Sequence, residues 1–304
     1  MEPHGSNRAW IQQALEVPYT ERSIEVEGCA IHSLRFGQGH KPGLVLVHGG
    51  AANAHWWRFL APLLTRQYDV VALDLSGHGD SGHREEYPRE LWAREIIEVA
   101  ADAGFPGKPV VIGHSLGGLI AIIAAALHGE KLAGAIIVDS PVHRPSPESQ
   151  EGRLGRSFRN AKVYPDLETA IGRFRLIPGQ PDADPVLLDY VARKSLRHVE
   201  GNGGGWSWKF DPRMFWNTSH DEMREYLANV HCRVALLRGE LSAVVPFETG
   251  EYMYEVLDRA APLVEIPQGH HHLMFDQPLA LIAAIRALLA DWEHSIPRRP
   301  AGTR

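Results

Sequence analysis

The stretch Val110-Val111-Ile112-Gly113-His114-Ser115-Leu116-Gly117-Gly118-Leu119-Ile120 decides how this chain is read. A short β-branched run ends at Gly113, and an apolar segment of helical length opens after Ser115, so the serine falls on a sharp strand-to-helix turn. Glycines at 113, 117 and 118 let the backbone turn tightly and let the helix approach the sheet. The hydroxyl then projects outward beside the free amides of a helix N-terminus. Pattern and context together match G-x-S-x-G.

Outward from this turn the first 140 residues alternate short apolar runs with longer helical patterns, the signature of strands joined by crossover helices into a mostly parallel sheet. Strands are predicted over 23–26 and 30–36, as a hairpin around Glu27-Gly28, and over 43–47, 70–73, 109–112 and 133–138. Helices are predicted over 56–66, 88–103 and 116–128, with Pro88 where a first-turn proline is tolerated. After Ser140 prolines, arginines and a glycine tract at 203–205 break the rhythm as far as about Val230. Short helices over 167–174, 185–196 and 220–229 are expected there, with an aromatic cluster of Trp206, Trp208, Phe210, Phe215 and Trp216. The rhythm resumes with strands over 233–237 and 263–266 and helices over 246–257 and 278–292, and only the ends, 1–7 and 298–304, look frayed. The expected organisation is a core of residues 1–140 and 231–304 interrupted by a largely helical insertion at 141–230.

Composition narrows the function classes. The length of 304 residues allows one large α/β core with an insertion, and 44% hydrophobic with 22% charged residues is the balance of a globular protein. Lys and Arg number 31 against 37 Asp and Glu, a net charge of −6 with no long basic run, so a nucleic-acid partner is not expected. The longest apolar stretches, such as 119–127, fall far short of the roughly 20 residues of a membrane span. No signal-peptide pattern opens the chain, which makes cytoplasmic localisation the expectation; separately, a monomer or homodimer is expected. Cys29 and Cys232 lie far apart without metal-ligand spacing.

A serine hydroxyl is a weak nucleophile at neutral pH and needs a base within reach and a third group to orient that base. Gln268-Gly269-His270-His271-His272-Leu273-Met274-Phe275-Asp276-Gln277-Pro278 follows the last predicted strand and would put histidines on a loop at the sheet's carboxyl edge. Three adjacent histidines also suggest metal binding, but neighbouring side chains on a loop diverge and no other ligand set shares a zinc-motif spacing, so neither metal nor cofactor is expected.

With His48-Gly49-Gly50 after the third strand, Asp74 to Ser81 after the fourth, the Ser115 turn and the His-to-Pro278 tail in this order, the chain resembles the α/β-hydrolase superfamily from about Ile24 to Trp292. The resemblance implies an α/β-hydrolase fold: a mostly parallel eight-stranded sheet flanked by helices, with a helical cap inserted after strand 6. In relatives the catalytic histidine usually lies seven residues before that proline, which selects His271, with His270 as runner-up. Relatives build the oxyanion hole from the residue after the nucleophile and a loop amide after the third strand, here Leu116 and Gly50. The commoner acid position, three residues after the glycine ending the seventh strand, is Ser242 in this chain. Some relatives carry the acid at the end of the sixth strand, which points to Asp139; Glu240, beside the vacant position, is the alternative. Asp74 reads as a turn residue and Asp276 as the N-cap of the last helix.

Serine, histidine and an oxyanion hole fit hydrolysis of an ester or lactone through an acyl-enzyme on Ser115. His55, Trp56, Trp206, Trp208 and Trp216 are candidate pocket residues for a moderately large apolar or aromatic substrate, or else pack the first helix and a small core of the cap. Two other readings stay open: carbon-carbon hydrolysis of activated diketones, which an arginine such as Arg173, Arg175 or Arg193 at the mouth would favour, and ligand binding by a receptor-like protein of this fold.

Overall fold

The computed structural model describes residues 9–144, 162–200, 204–215 and 223–294. Trp216 and the expected frayed ends at 1–7 and 298–304 lie outside the described residues. Eight strands form one sheet: β1 (Thr20–Val26), β2 (Cys29–Phe36), β3 (Gly43–Val47), β4 (Asp69–Leu73), β5 (Val110–His114), β6 (Gly134–Val138), β9 (Arg233–Gly239) and β10 (Leu263–Ile266). Their spatial order is β1-β2-β4-β3-β5-β6-β9-β10. β2 runs antiparallel to both neighbours and every other pairing is parallel. Glu27 and Gly28 both take positive φ, 45° and 72°, the two-residue turn whose twist suits a hairpin.

The central strands are buried on both faces, and alternation sends successive side chains to opposite layers. Val45, Val47, Val71, Val111, Ala135 and Ile137 pack with α2 (Arg89–Ala103) and α3 (Leu116–His128). On the other face, Leu44, Leu46, Val70, Ile112, Ile136 and Val138 meet Ile11 of α1 (Ala9–Glu16) and the apolar stripe Leu281, Ile282, Ile285 and Leu289 of the C-terminal helix (Pro278–His294). Each fully buried aliphatic side chain contributes about 1.5–3 kcal/mol of burial. Among the described residues no helix is long and apolar enough to cross a membrane.

Two elements differ from the sequence expectation. Residues 56–66 form no α-helix but two single 3₁₀ turns, Ala54–Trp56 and Ala61–Leu63. Pro62 lacks an amide hydrogen in the middle of the expected helix and restricts the residue before it, so the segment breaks there. The 141–230 insertion is also not purely helical. It carries α4 (Leu167–Ile171), α5 (Pro185–Lys194), α6 (Met223–Ala228) and an antiparallel pair, β7 (Leu196–Val199) with β8 (Gly205–Trp208). Asp166 and Asp184 cap α4 and α5 through their side chains, and Pro185 opens α5 where its missing N–H costs nothing.

The insertion is tied to the sheet's carboxyl edge at several points. Gly79 N–H donates to the Lys209 carbonyl and Asp211 N–H to that of Gly77, both at 2.8 Å. Lys209 also pairs with Asp80 at 2.7 Å, and Asn53 Nδ2 donates to Ser195 Oγ at 3.0 Å.

Candidate active site

Ser115 sits between β5 and α3 with φ 54° and ψ −120°, a conformation that an L-residue holds only where its surroundings impose it. What imposes it is the close approach of glycine backbone on both sides. A Cβ on Gly113 would run into the carbonyl of Gly117, and one on Gly117 would lie 2.5 Å from the carbonyl oxygens of Val47 and His48. Any side chain at either position would push α3 off the sheet.

Three sequence-selected residues converge. Ser115 Oγ lies 3.1 Å from His271 Nε2, and His271 Nδ1 lies 2.6 Å from Asp139 Oδ2. His271 and Asp139 are 4% and 0% exposed, so little water competes for these bonds. Asp139 follows β6 with φ 47°, which turns its carboxylate towards the end of β9, where Gly239 N–H donates to Oδ1 at 2.8 Å. Ser242, at the commoner acid position, donates from Oγ to Asp139 Oδ2 at 2.6 Å while accepting from the amides of Val244 and Val245. The hydroxyl thus braces a carboxylate that arrives from the neighbouring strand.

The alternatives face elsewhere. Glu240 Oε2 accepts from the Gln268 amide at 2.7 Å, away from the imidazole. His270 Nδ1 pairs with Asp276 Oδ2 at 2.9 Å. Asp276 also takes the His270 amide, so its role is to fold the histidine loop and not to cap the last helix. His272 Nδ1 meets Gln180 Oε1 at 2.9 Å. The three adjacent histidines therefore diverge towards three different partners, and no common metal position lies among them.

Gly50 and Leu116 lie side by side: a Cβ on Gly50 would be 3.8 Å from Leu116 Cδ2 and 3.5 Å from Phe215 Cε1 of the insertion. Leu116 opens α3, so its amide has no intrahelical acceptor. The loop bearing Gly50 is anchored by two buried side chains. His48 donates from Nδ1 to the Gly49 carbonyl and accepts the Leu75 amide on Nε2 at 3.1 Å; burial holds it below its ordinary pKa and hence neutral. Asp74 accepts the amides of Ala54 and Asp80, as a turn residue should. Phe215 was expected only as one member of the aromatic cluster, and its place over Gly50 had no sequence signal.

Of the expected pocket residues, His55 is buried and bonded to Tyr190 Oη at 2.9 Å, and burial pushes its pKa down to about 4. Trp56 packs against Phe174, His272 and Phe275 and so joins the insertion to the histidine loop. Trp206 stands edge-on to His198, while Trp208 meets Tyr164 and Phe174 and packs, half-buried, against the core cluster on the α2 and α3 face of the sheet. His114 went unremarked in the sequence. Its Nε2–H donates to the His271 carbonyl at 2.9 Å, and burial, aided by His271, holds it well below its ordinary pKa.

A family model described as the alpha/beta hydrolase family matches residues 44–285. The chain is 27% identical over 281 residues to esterase Rv0045c of Mycobacterium tuberculosis, covering 90% of each chain. It is 30% identical over 283 residues to 2-hydroxy-6-oxo-6-(2'-aminophenyl)hexa-2,4-dienoic acid hydrolase of Metapseudomonas resinovorans, covering 88% of this chain and 90% of that one. Among solved structures, E-2-(acetamidomethylene)succinate hydrolase superposes with a TM-score of 0.75 at 19% identity, covering 90% of this chain and 100% of its own. With its strand order, its serine at the β5-α3 turn and a matched segment that spans most of its length, the chain belongs to the alpha/beta hydrolase family.

Proposed function

We propose that this hydrolase cleaves a neutral carboxylic ester or lactone through an acyl-enzyme on Ser115, with His271 as general base and acid and Asp139 as the orienting carboxylate. The observation that carries the reading is the continuous path from Ser115 Oγ to His271 Nε2, 3.1 Å, and from His271 Nδ1 to Asp139 Oδ2, 2.6 Å. With Nδ1 protonated towards Asp139, Nε2 is the free lone pair that accepts the serine proton as Oγ attacks the carbonyl carbon. The developing oxyanion would be held by the amides of Gly50 and Leu116. His271 then returns the proton to the leaving alcohol, and a water repeats the cycle in reverse to release the acid. The 141–230 insertion acts as a cap over this site, with Phe215 against the oxyanion loop limiting the space beside the acyl group.

The carbon-carbon hydrolase reading draws on the Metapseudomonas relative, which is named for a dienoic acid substrate. Against it stand the cap arginines that would pair with such a carboxylate. Arg193 is engaged by Glu168 and Asp189, Arg175 donates to the carbonyls of Gly172 and Phe174, and Arg173 is exposed. A panel of p-nitrophenyl esters and aromatic lactones, assayed with wild type and Ser115→Ala, tests the proposal. Serine-dependent turnover of several members is expected. Turnover of a diketone acid with none of any ester would transfer the site to carbon-carbon chemistry.

A further inference from the structure

Gln180, on the insertion, makes a three-point contact with the residue next to the proposed base. Its Oε1 accepts the backbone N–H of His272 at 2.9 Å and also the ring Nδ1–H of His272 at 2.9 Å, while its Nε2 donates to the His272 carbonyl at 3.2 Å. One amide side chain therefore closes on both backbone polar groups of a single residue, as a strand partner would. The His272 ring it holds is buried and stands T-shaped against His271, centroids 4.7 Å apart, with Trp56 and Phe275 on its other sides. Burial, then the neighbouring His271 and His114, keep the His272 imidazole well below its ordinary pKa, so it is a neutral donor with its proton on Nδ1.

The segment from 270 to 272 is thus fixed from three directions. Asp276 takes His270, His114 takes the His271 carbonyl from inside the core, and Gln180 takes His272 from the insertion. The first two anchors come from the same body as Ser115, whereas Gln180 comes from the segment that covers the site. Building on the serine-hydrolase reading above, we propose that Gln180 is a positioning residue: by clamping His272 it sets the His271 imidazole against Ser115, so the catalytic pair is fully aligned only when the insertion is seated. The clamp makes no contact with the reacting atoms and acts only through the loop.

The reactivity of Ser115 towards a fluorophosphonate tests this without knowledge of the natural substrate. Serine Oγ forms the bond to phosphorus, fluoride leaves, and the serine proton passes to His271, so the rate reads the Ser115-His271 alignment directly. Gln180→Met keeps the side-chain length and removes all three bonds; it should slow phosphonylation and lower kcat on the best p-nitrophenyl ester by about tenfold or more, with KM changed less than about twofold. Gln180→Glu retains the acceptor for both His272 donors and should recover most of that loss. Ser195→Ala, which releases a different bond between insertion and core, Asn53 Nδ2 to Ser195 Oγ, should leave the phosphonylation rate near that of wild type. A Gln180→Met rate within about twofold of wild type, or an equal loss in Ser195→Ala, would overturn the positioning role. Loss in both Gln180 variants accompanied by an equal fall in melting temperature would overturn it too, by assigning the contact to stability alone. A wild type inert to the probe would instead defeat the serine-hydrolase reading on which the proposal rests.

Discussion

Two buried aspartate-histidine pairs lie along the carboxyl edge of the same sheet, and of the two only the second faces Ser115. Asp74, after β4, accepts from His32 Nδ1 at 2.8 Å; Asp139, after β6, accepts from His271 Nδ1 at 2.6 Å. Both carboxylates are sealed from solvent, at 1% and 0% exposure, and both receive a backbone amide as well. The difference is at the far nitrogen of each ring. His32 Nε2 looks out towards Glu21 at 3.8 Å, and His271 Nε2 looks in at Ser115 Oγ at 3.1 Å. A carboxylate can orient an imidazole anywhere; the group opposite the free nitrogen decides whether that imidazole is a structural strut or a base.

The sharpest way to break this contrast is to neutralise each aspartate. Asp139→Asn should lower kcat on an activated ester by about 10³–10⁴-fold with the fold intact, because the imidazole loses the charge that orients it. Retention of more than about a tenth of the activity would remove Asp139 from the mechanism. Asp74→Ala should register in a denaturation curve, at a cost of about 3–5 kcal/mol, since it leaves a buried histidine and two loop amides without their acceptor. An unchanged denaturation midpoint would mean that the pair is not a strut.

Proton linkage separates the two kinds of buried histidine further. Burial opposes protonation of His32, but the Asp74 bond and nearby carboxylates outweigh it and raise its pKa above the ordinary 6.5. A raised pKa gives stability that is complete below the unfolded value and lost as pH rises through the folded one. His55 has the reverse sign: burial lowers it to about 4, so its contribution is complete above 6.5 and is lost as pH falls towards 4, by at most about 1.4 kcal/mol per pH unit. Melting scans should therefore find His32→Gln costlier at pH 5 than at pH 8, and His55→Gln costlier at pH 8 than at pH 5. Parallel pH profiles for the two variants would contradict the assignment.

Smaller effects probe the brace around Asp139. Ser242→Ala deletes one of its three hydrogen bonds and should lower kcat by about tenfold, equivalent to about 1.4 kcal/mol. Glu240→Gln alters a carboxylate that accepts the exposed Gln268 amide, away from His271, and should change kcat by no more than about twofold. A larger loss from Glu240→Gln than from Ser242→Ala would return the acid role to Glu240.

Much of the fold and of the site is local chemistry written along the chain. Apolar runs of strand length, glycines about Ser115 that no side chain could replace, a buried strand end at Asp139 and a histidine loop before Pro278 are all legible because each depends on a few consecutive residues. Residues 56–66 have the apolar spacing of a helix, but Pro62 interrupts it and leaves single 3₁₀ turns. The resemblance to relatives points to His271 before His270 and to Asp139 before Glu240, but the contacts that separate each pair lie beyond local pattern. These side chains come from β6, β9 and the loop after β10, and their distances are set by how three strands align.

The sequence by itself determined the serine turn and the strand-helix alternation, which follow from backbone sterics and side-chain type, and through the resemblance to relatives it offered a short set of residues as base and acid. Only the tertiary structure decided which histidine nitrogen meets Ser115, that Ser242 braces the Asp139 carboxylate from the neighbouring strand end, and that Gln180 of the insertion holds the histidine loop. Those contacts join residues 92 to 156 positions apart, and a hydrogen bond depends on tenths of an ångström that no pattern of neighbours along a chain encodes.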